Sequence, residues 1–139
     1  MIISNKIRKI LYISKTYKGK EHDYPMLQKE FPSKIEWFKD LTVKLDLGFQ
    51  GFADLYPYKK LVIPFKKKRA KKDVSNDLTE QQVEHNKGVG SERIYVEHAI
   101  GGMKRYRILE HRNRLKSNKI INQVIGVCAA LWNYHLLTI

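Results

Sequence analysis

A chain of 139 residues with 42% apolar content holds enough side chains for one modest core, so a single domain over residues 1–139 is the default expectation. Lys and Arg outnumber Asp and Glu by 27 to 14, and the formal charge of +13 favours polyanionic partners, nucleic acid first among them. One cysteine, Cys128, excludes an internal disulfide and a cysteine-built zinc site and fits a reducing, cytoplasmic setting, and no secretion signal precedes the first charges.

Residues 1–3 and 10–13 are short apolar runs around the polar turn Ser4, Asn5 and Lys6, which is a hairpin pattern. Starting a domain on half a hairpin leaves backbone groups without partners, so a preceding strand is expected to be missing. Gly19 and the Asp-Tyr-Pro run at 23–25 predict a loop feeding a helix, with Asp23 as N-cap, Pro25 in the first turn and Pro32 at the end. Residues 41–47 alternate imperfectly around apolar positions and run into Gly48 and Gly51, which predicts a strand closed by a tight turn. Asp46 sits at that strand's C-terminal end. Leu61, Val62 and Ile63 make another strand, stopped by Pro64. Six of the seven residues at 66–72 are basic, so a solvated loop is expected there. Residues 78–86 and 91–109 read as two helices with Gly88 and Gly90 weakening the join, and residues 118–137 as a last helix. The last helix is apolar enough to raise the question of a membrane span. Asn122, Gln123, Asn133 and His135 interrupt it and predict burial against protein instead.

Two acids stand out. On a helical wheel Val96, Ala99, Ile100, Met103 and Tyr106 share one face, His98, Arg105 and Arg112 lie opposite, and Glu97 falls at the boundary beside Gly101 and Lys104. An acid there can project into a cleft; the plainer alternative is a surface Glu paired with Lys104 or Arg93. Asp46 ends an apolar strand, where ligand sites of α/β sheets gather, and its plainer alternative is an Asx turn. Two carboxylates on different elements suit Mg²⁺ or Mn²⁺, which takes a few carboxylate oxygens and leaves the rest of its shell to water and phosphate. Two-metal phosphoryl transfer ordinarily wants a third acid. The other acids before Asp46, namely Glu21, Asp23, Glu30, Glu36 and Asp40, do not stand within apolar strands as Asp46 does. The five histidines show no zinc spacing, Gly101 and Gly102 have no phosphate-cradling loop around them, and Cys128 in its apolar run reads as a small core residue.

Leu-Asp-Leu-Gly-Phe-Gln-Gly at 45–51 and Arg-Ile-Tyr-Val-Glu-His-Ala-Ile-Gly-Gly-Met-Lys-Arg-Tyr-Arg-Ile-Leu at 93–109 resemble the second and third acidic motifs of DDE transposases, in their insertion-sequence and Harbinger-like branch. Supporting stretches are Gly-Lys-Glu-His-Asp at 19–23, Ile-Pro-Phe-Lys-Lys at 63–67, and Leu-Thr-Glu-Gln-Gln at 78–82 leading to Asn86. The likeness runs in register from about residue 7 to the end. It implies an α/β, truncated ribonuclease-H-like fold, a mixed sheet flanked by helices with the first strand missing. It maps the family's second Asp onto Asp46 and its Glu onto Glu97, as catalytic and metal-binding residues, and its first Asp onto nothing. The family's N-terminal helix-turn-helix has no counterpart either, and Gly88 and Gly90 depart from the usual helix into the Glu motif.

The reaction implied by the resemblance is metal-dependent cleavage and joining of DNA strands. Lys66, Lys67, Lys68, Arg69, Lys71, Lys72, Lys104, Arg105 and Arg107 are then expected near DNA phosphates. With two acids of three, the chain is expected to be inactive alone, and self-association as a homo-oligomer is left open. The reading from another class is a basic nucleic-acid-binding module without chemistry, in which the same lysines make salt-sensitive phosphate contacts.

Overall fold

The computed structural model describes residues 1–67, 77–111, 114–115 and 117–138. In chain order the elements are β1 (Ile2–Ser4), β2 (Ile10–Ile13), α1 (Asp23–Glu30), β3 (Thr42–Lys44), a 3-10 turn at Leu47–Phe49, α2 (Phe52–Leu55), β4 (Lys60–Val62), α3 (Glu80–Lys104), a second 3-10 turn at Arg107–Leu109, and α4 (Asn118–His135). This is a mixed α/β arrangement with small sheets accompanied by helices. It forms two compact units, Met1–Lys20 with Arg93–Ile139, and Glu21–Glu92. Among the described residues no helix is long and apolar enough to cross a membrane.

In the first unit, β1 and β2 pair antiparallel with Ile2 opposite Ile13 and Ile3 opposite Tyr12, and an irregularity between Ile3 and Ser4 shifts the register. The turn between them is held by Asn5, whose side chain accepts from the Lys9 amide at 3.0 Å, and by Arg8, which takes a positive φ of 65°. Ile10, Ala99, Met103, Cys128, Ala129 and Trp132 are the buried core, joined by partly buried Val124, Ile125, Tyr106 and Leu136. The thiol of Cys128 is held protonated by burial, which raises its pKa, so it behaves as an apolar filler.

Polar side chains of α4 tie that core to the hairpin. The Asn133 amide grips Ile10 at both backbone groups, accepting from its N–H and donating to its carbonyl at 2.8 Å each. Asn122 accepts from the Thr16 amide at 2.9 Å, and the Trp132 indole donates to the Arg8 carbonyl at 2.9 Å. The asparagines that interrupt the apolar pattern of the last helix are therefore its attachments to backbone, Asn133 to strand β2 and Asn122 to the segment after it. Each satisfies groups whose burial without a partner costs about 1–3 kcal/mol.

In the second unit, β3 and β4 pair in parallel, Val43 opposite Leu61. The core is aromatic: Phe38 lies 5.2 Å from Phe52 and 5.4 Å from Tyr56, while Phe52 and Tyr56 stack at 4.9 Å. The Tyr56 hydroxyl donates to the Phe31 carbonyl at 2.6 Å, giving the ring's polar end a partner inside the cluster.

Two local expectations are corrected. Asp23 is the first residue of α1 and His22 its N-cap, so Asp23 acts on the helix through its charge in the first turn, not as the cap. The two helices expected around Gly88 and Gly90 are one, α3. Thr79 and Gln82 form a reciprocal capping box at its start, the Gln82 side chain accepting from the Thr79 amide at 3.0 Å and the Thr79 hydroxyl from the Gln82 amide at 3.3 Å. Val89, between the glycines, is buried. Capping and burial outweigh the propensity cost of roughly 1 kcal/mol per glycine.

Gly101 and Gly102 separate cleanly in role. A Cβ on Gly102 would stand 2.3 Å from the Trp132 ring, whereas one on Gly101 would meet nothing within 4 Å. We expect Gly102→Ala to destabilise the protein by about 1–3 kcal/mol or more through overpacking, and Gly101→Ala to be neutral or to stabilise it by up to about 1 kcal/mol. Urea denaturation of the two variants beside the parent checks the contrast, and equal effects would refute the packing argument.

Candidate active site

Asp46 lies two residues beyond the end of β3, in the second unit. Its backbone is extended, and its side chain caps the 3-10 turn by accepting from the Gly48 amide at 2.8 Å. The Asx-turn reading of this residue thus describes its local geometry, with Oδ1 engaged and the side chain half-buried. Gly48 is confined on two sides: a Cβ there would stand 3.0 Å from Asp46 Oδ1 and 3.1 Å from Asp23 Oδ2. The turn therefore brings two carboxylates around one glycine. Gly51, at φ 91°, starts the next turn in a conformation that favours glycine, and its carbonyl accepts from the Tyr24 hydroxyl at 2.8 Å. Lys44, the last residue of β3, forms an ion pair with Glu92 of α3.

Glu97 lies on α3 within the first unit. Val96 and Ile100 are half-buried, Ala99 and Met103 fully buried and His98 exposed, as the wheel expects, while Glu97, expected at the boundary of the apolar face, is exposed. The Glu97 carboxylate stands 3.6 Å from Arg93, one turn earlier. Of the two ion-pair partners expected for it, Arg93 is the one found. An exposed pair of this kind contributes about 0.5 kcal/mol or less and leaves the carboxylate available to a stronger ligand.

The basic residues divide between the units. Lys104, Arg105 and Arg107 are exposed at the end of α3 and in the turn after it. Arg105 is not free: its guanidinium lies 5.5 Å from the Trp132 ring and 3.0 Å from His135 Nε2. Lys66 and Lys67 are exposed in the second unit, and Lys67 pairs with Asp77. Lys68, Arg69, Lys71 and Lys72 lie outside the described residues, as does Arg112.

Sequence reasoning missed the residues that deliver Lys66. The Asn86 amide accepts from the Phe65 N–H at 2.8 Å and donates to the Phe65 carbonyl at 3.0 Å. His85 Nε2 is 3.2 Å from the Ile63 carbonyl, and its ring meets Phe65 edge-on at 5.1 Å. The first turns of α3 therefore fix the backbone on which the basic run begins. The signal available in the sequence was Asn86 itself, an amide at helical spacing after a capping box.

Carboxylate oxygens match the chemistry of a hard divalent cation. The set is incomplete, however: among the described residues no three His, Cys, Asp or Glu side chains gather to hold a metal ion.

Comparison with known proteins agrees with this donor chemistry. The family model described as DDE superfamily endonuclease matches residues 1–133, and the chain belongs to that family. It is also similar, at 28% identity over 138 residues, to a probable transposase for insertion sequence element IS702 from Microchaete diplosiphon. That alignment covers 98% of this chain and 45% of the relative, so the chain spans less than half the length of the curated protein it matches. No solved structure matches.

If Asp46 and Glu97 serve chemistry more than folding, removing their charge should cost little stability. We expect Glu97→Gln to lie within about 0.5 kcal/mol of the parent and Asp46→Ala to cost about 0.5–2 kcal/mol through the lost cap, with Asp46→Asn closer to neutral because it keeps the acceptor. Thermal and urea unfolding measure all three, and global unfolding by Glu97→Gln would mark that carboxylate as structural.

Proposed function

We propose that this chain carries the second and third carboxylates, Asp46 and Glu97, of a DDE-type active site for metal-dependent DNA cleavage and strand transfer. In this reading both units belong to one partial catalytic domain of ribonuclease-H-like type, working on DNA in the cytoplasm. The observation that carries it is Asp46. It stands at the C-terminal end of a parallel strand pair, where sheets of this class bind ligands, and it is held there by its own turn. The motif around Glu97 and the family match over residues 1–133 support the same assignment.

A bound Mg²⁺ or Mn²⁺ would supply activation of the attacking oxygen and stabilisation of the leaving oxygen. Asp46 and Glu97 would contribute its protein oxygens, and Lys66, Lys67, Lys104 and Arg107, with Lys68, Arg69, Lys71 and Lys72, would meet DNA phosphates. Arg105, held against Trp132 and His135, has a share in positioning the helix end as well. Two anchors leave most of an ion's shell to water, and misplacement of about an ångström costs on the order of a hundredfold in rate. The chain alone is therefore expected to bind DNA without cleaving it, which is also the behaviour of a non-catalytic basic module.

Two measurements test this. DNA affinity should fall steeply between low and physiological salt, as phosphate contacts release counterions, and a flat isotherm would remove the electrostatic argument. Supercoiled plasmid incubated with the chain and Mn²⁺ should stay intact. Nicking that disappears in the Asp46→Ala, Glu97→Ala variant would show these carboxylates to be active without a third partner elsewhere, and loss of nicking in Asp23→Ala would identify that partner beside Gly48.

A further inference from the structure

α4 is apolar on more of its circumference than its own unit buries. Cys128, Ala129 and Trp132 face the core. A second row, Ile120, Val127, Leu131 and Tyr134, points outward and is 47%, 57%, 44% and 67% exposed, with Val124 on its border. The spacing 120, 124, 127, 131, 134 alternates four and three residues, which is the seam that packs against another helix. Beside it, Tyr106 and Ile108 form the second wall of an open groove of about 400 Å³, floored by Val124, Val127, Cys128 and Leu131.

We propose that this face is the contact between two copies of the chain, with α4 of one packed against α4 of the other across a two-fold axis. The 4-3-4-3 row asks for a helix of matching period, and α4 itself is a helix on which that row is exposed. Burying the outward parts of Ile108, Ile120, Val127, Leu131 and Tyr134 would remove on the order of 500 Å² per copy, so about 1,000 Å² in the pair, the size at which specific interfaces begin. Charge points the same way. Two copies at +13 repel over most of their surface, yet α4 carries Lys119 and no acid, and the seam itself is uncharged. It is a face on which two such chains approach without stacking like charges.

The experiment is sedimentation of the nuclease-treated chain over micromolar concentrations, in low and high salt. The parent should pass from monomer to dimer in the tens of micromolar and keep doing so at high salt, because apolar contact is not screened. Val127→Asp and Leu131→Asp, both exposed and so expected to fold with an unchanged circular dichroism spectrum, should weaken association at least about tenfold. Ile7→Asp, an exposed apolar residue of the hairpin turn, should leave it intact. A parent that stays monomeric at 100 µM or so, association that vanishes with salt, or a dimer indifferent to both α4 variants would each overturn the proposal; the last would place the contact elsewhere and leave the groove to a different occupant.

Discussion

The first unit hangs on the indole of Trp132. It fills the space that Gly102 leaves open on α3, donates to the Arg8 carbonyl in the hairpin turn, and lies under the Arg105 guanidinium. One side chain thus joins two helices and a hairpin, and the helix it presses against is the one that bears Glu97. Any account of how Glu97 comes to face solvent begins with that contact, because the buried row Ala99 and Met103 fixes the helix rotation that turns Glu97 outward.

The second unit solves a different problem. A parallel pair of three-residue strands is too small to be stable unaided, and the aromatic cluster of Phe31, Phe38, Phe52 and Tyr56 supplies the burial that the strands lack. Asp46 can then sit at a strand end with its charge half exposed, since its position is set by the cap on Gly48 and not by packing of its own side chain.

What could be read in the sequence is what local chemistry decides. The hairpin, the strand that runs toward Asp46 and ends at Lys44, the stop at Pro64 and the last helix all follow from apolar runs and turn residues within a few positions of one another. The inward face of α3, with Ala99 and Met103, follows from helical spacing. The unity of α3 did not, because the burial of Val89, which the local pattern does not announce, outvotes the two glycines beside it. The asparagines of α4 were legible only as interruptions. Asn133 finds Ile10 across 123 residues and Asn122 finds Thr16 across 106, partners that no local pattern names. The contacts of Arg105 are hidden for the same reason, since Trp132 and His135 reach it from another helix.

The grip of Asn133 on Ile10 has a consequence for how the first sheet can grow. An amide that accepts from one residue's N–H and donates to its carbonyl imitates the neighbouring strand that would otherwise pair there. With both its backbone groups occupied in this way, Ile10 cannot pair with a further strand beside β2. Growth of the sheet on that flank would first have to displace the amide.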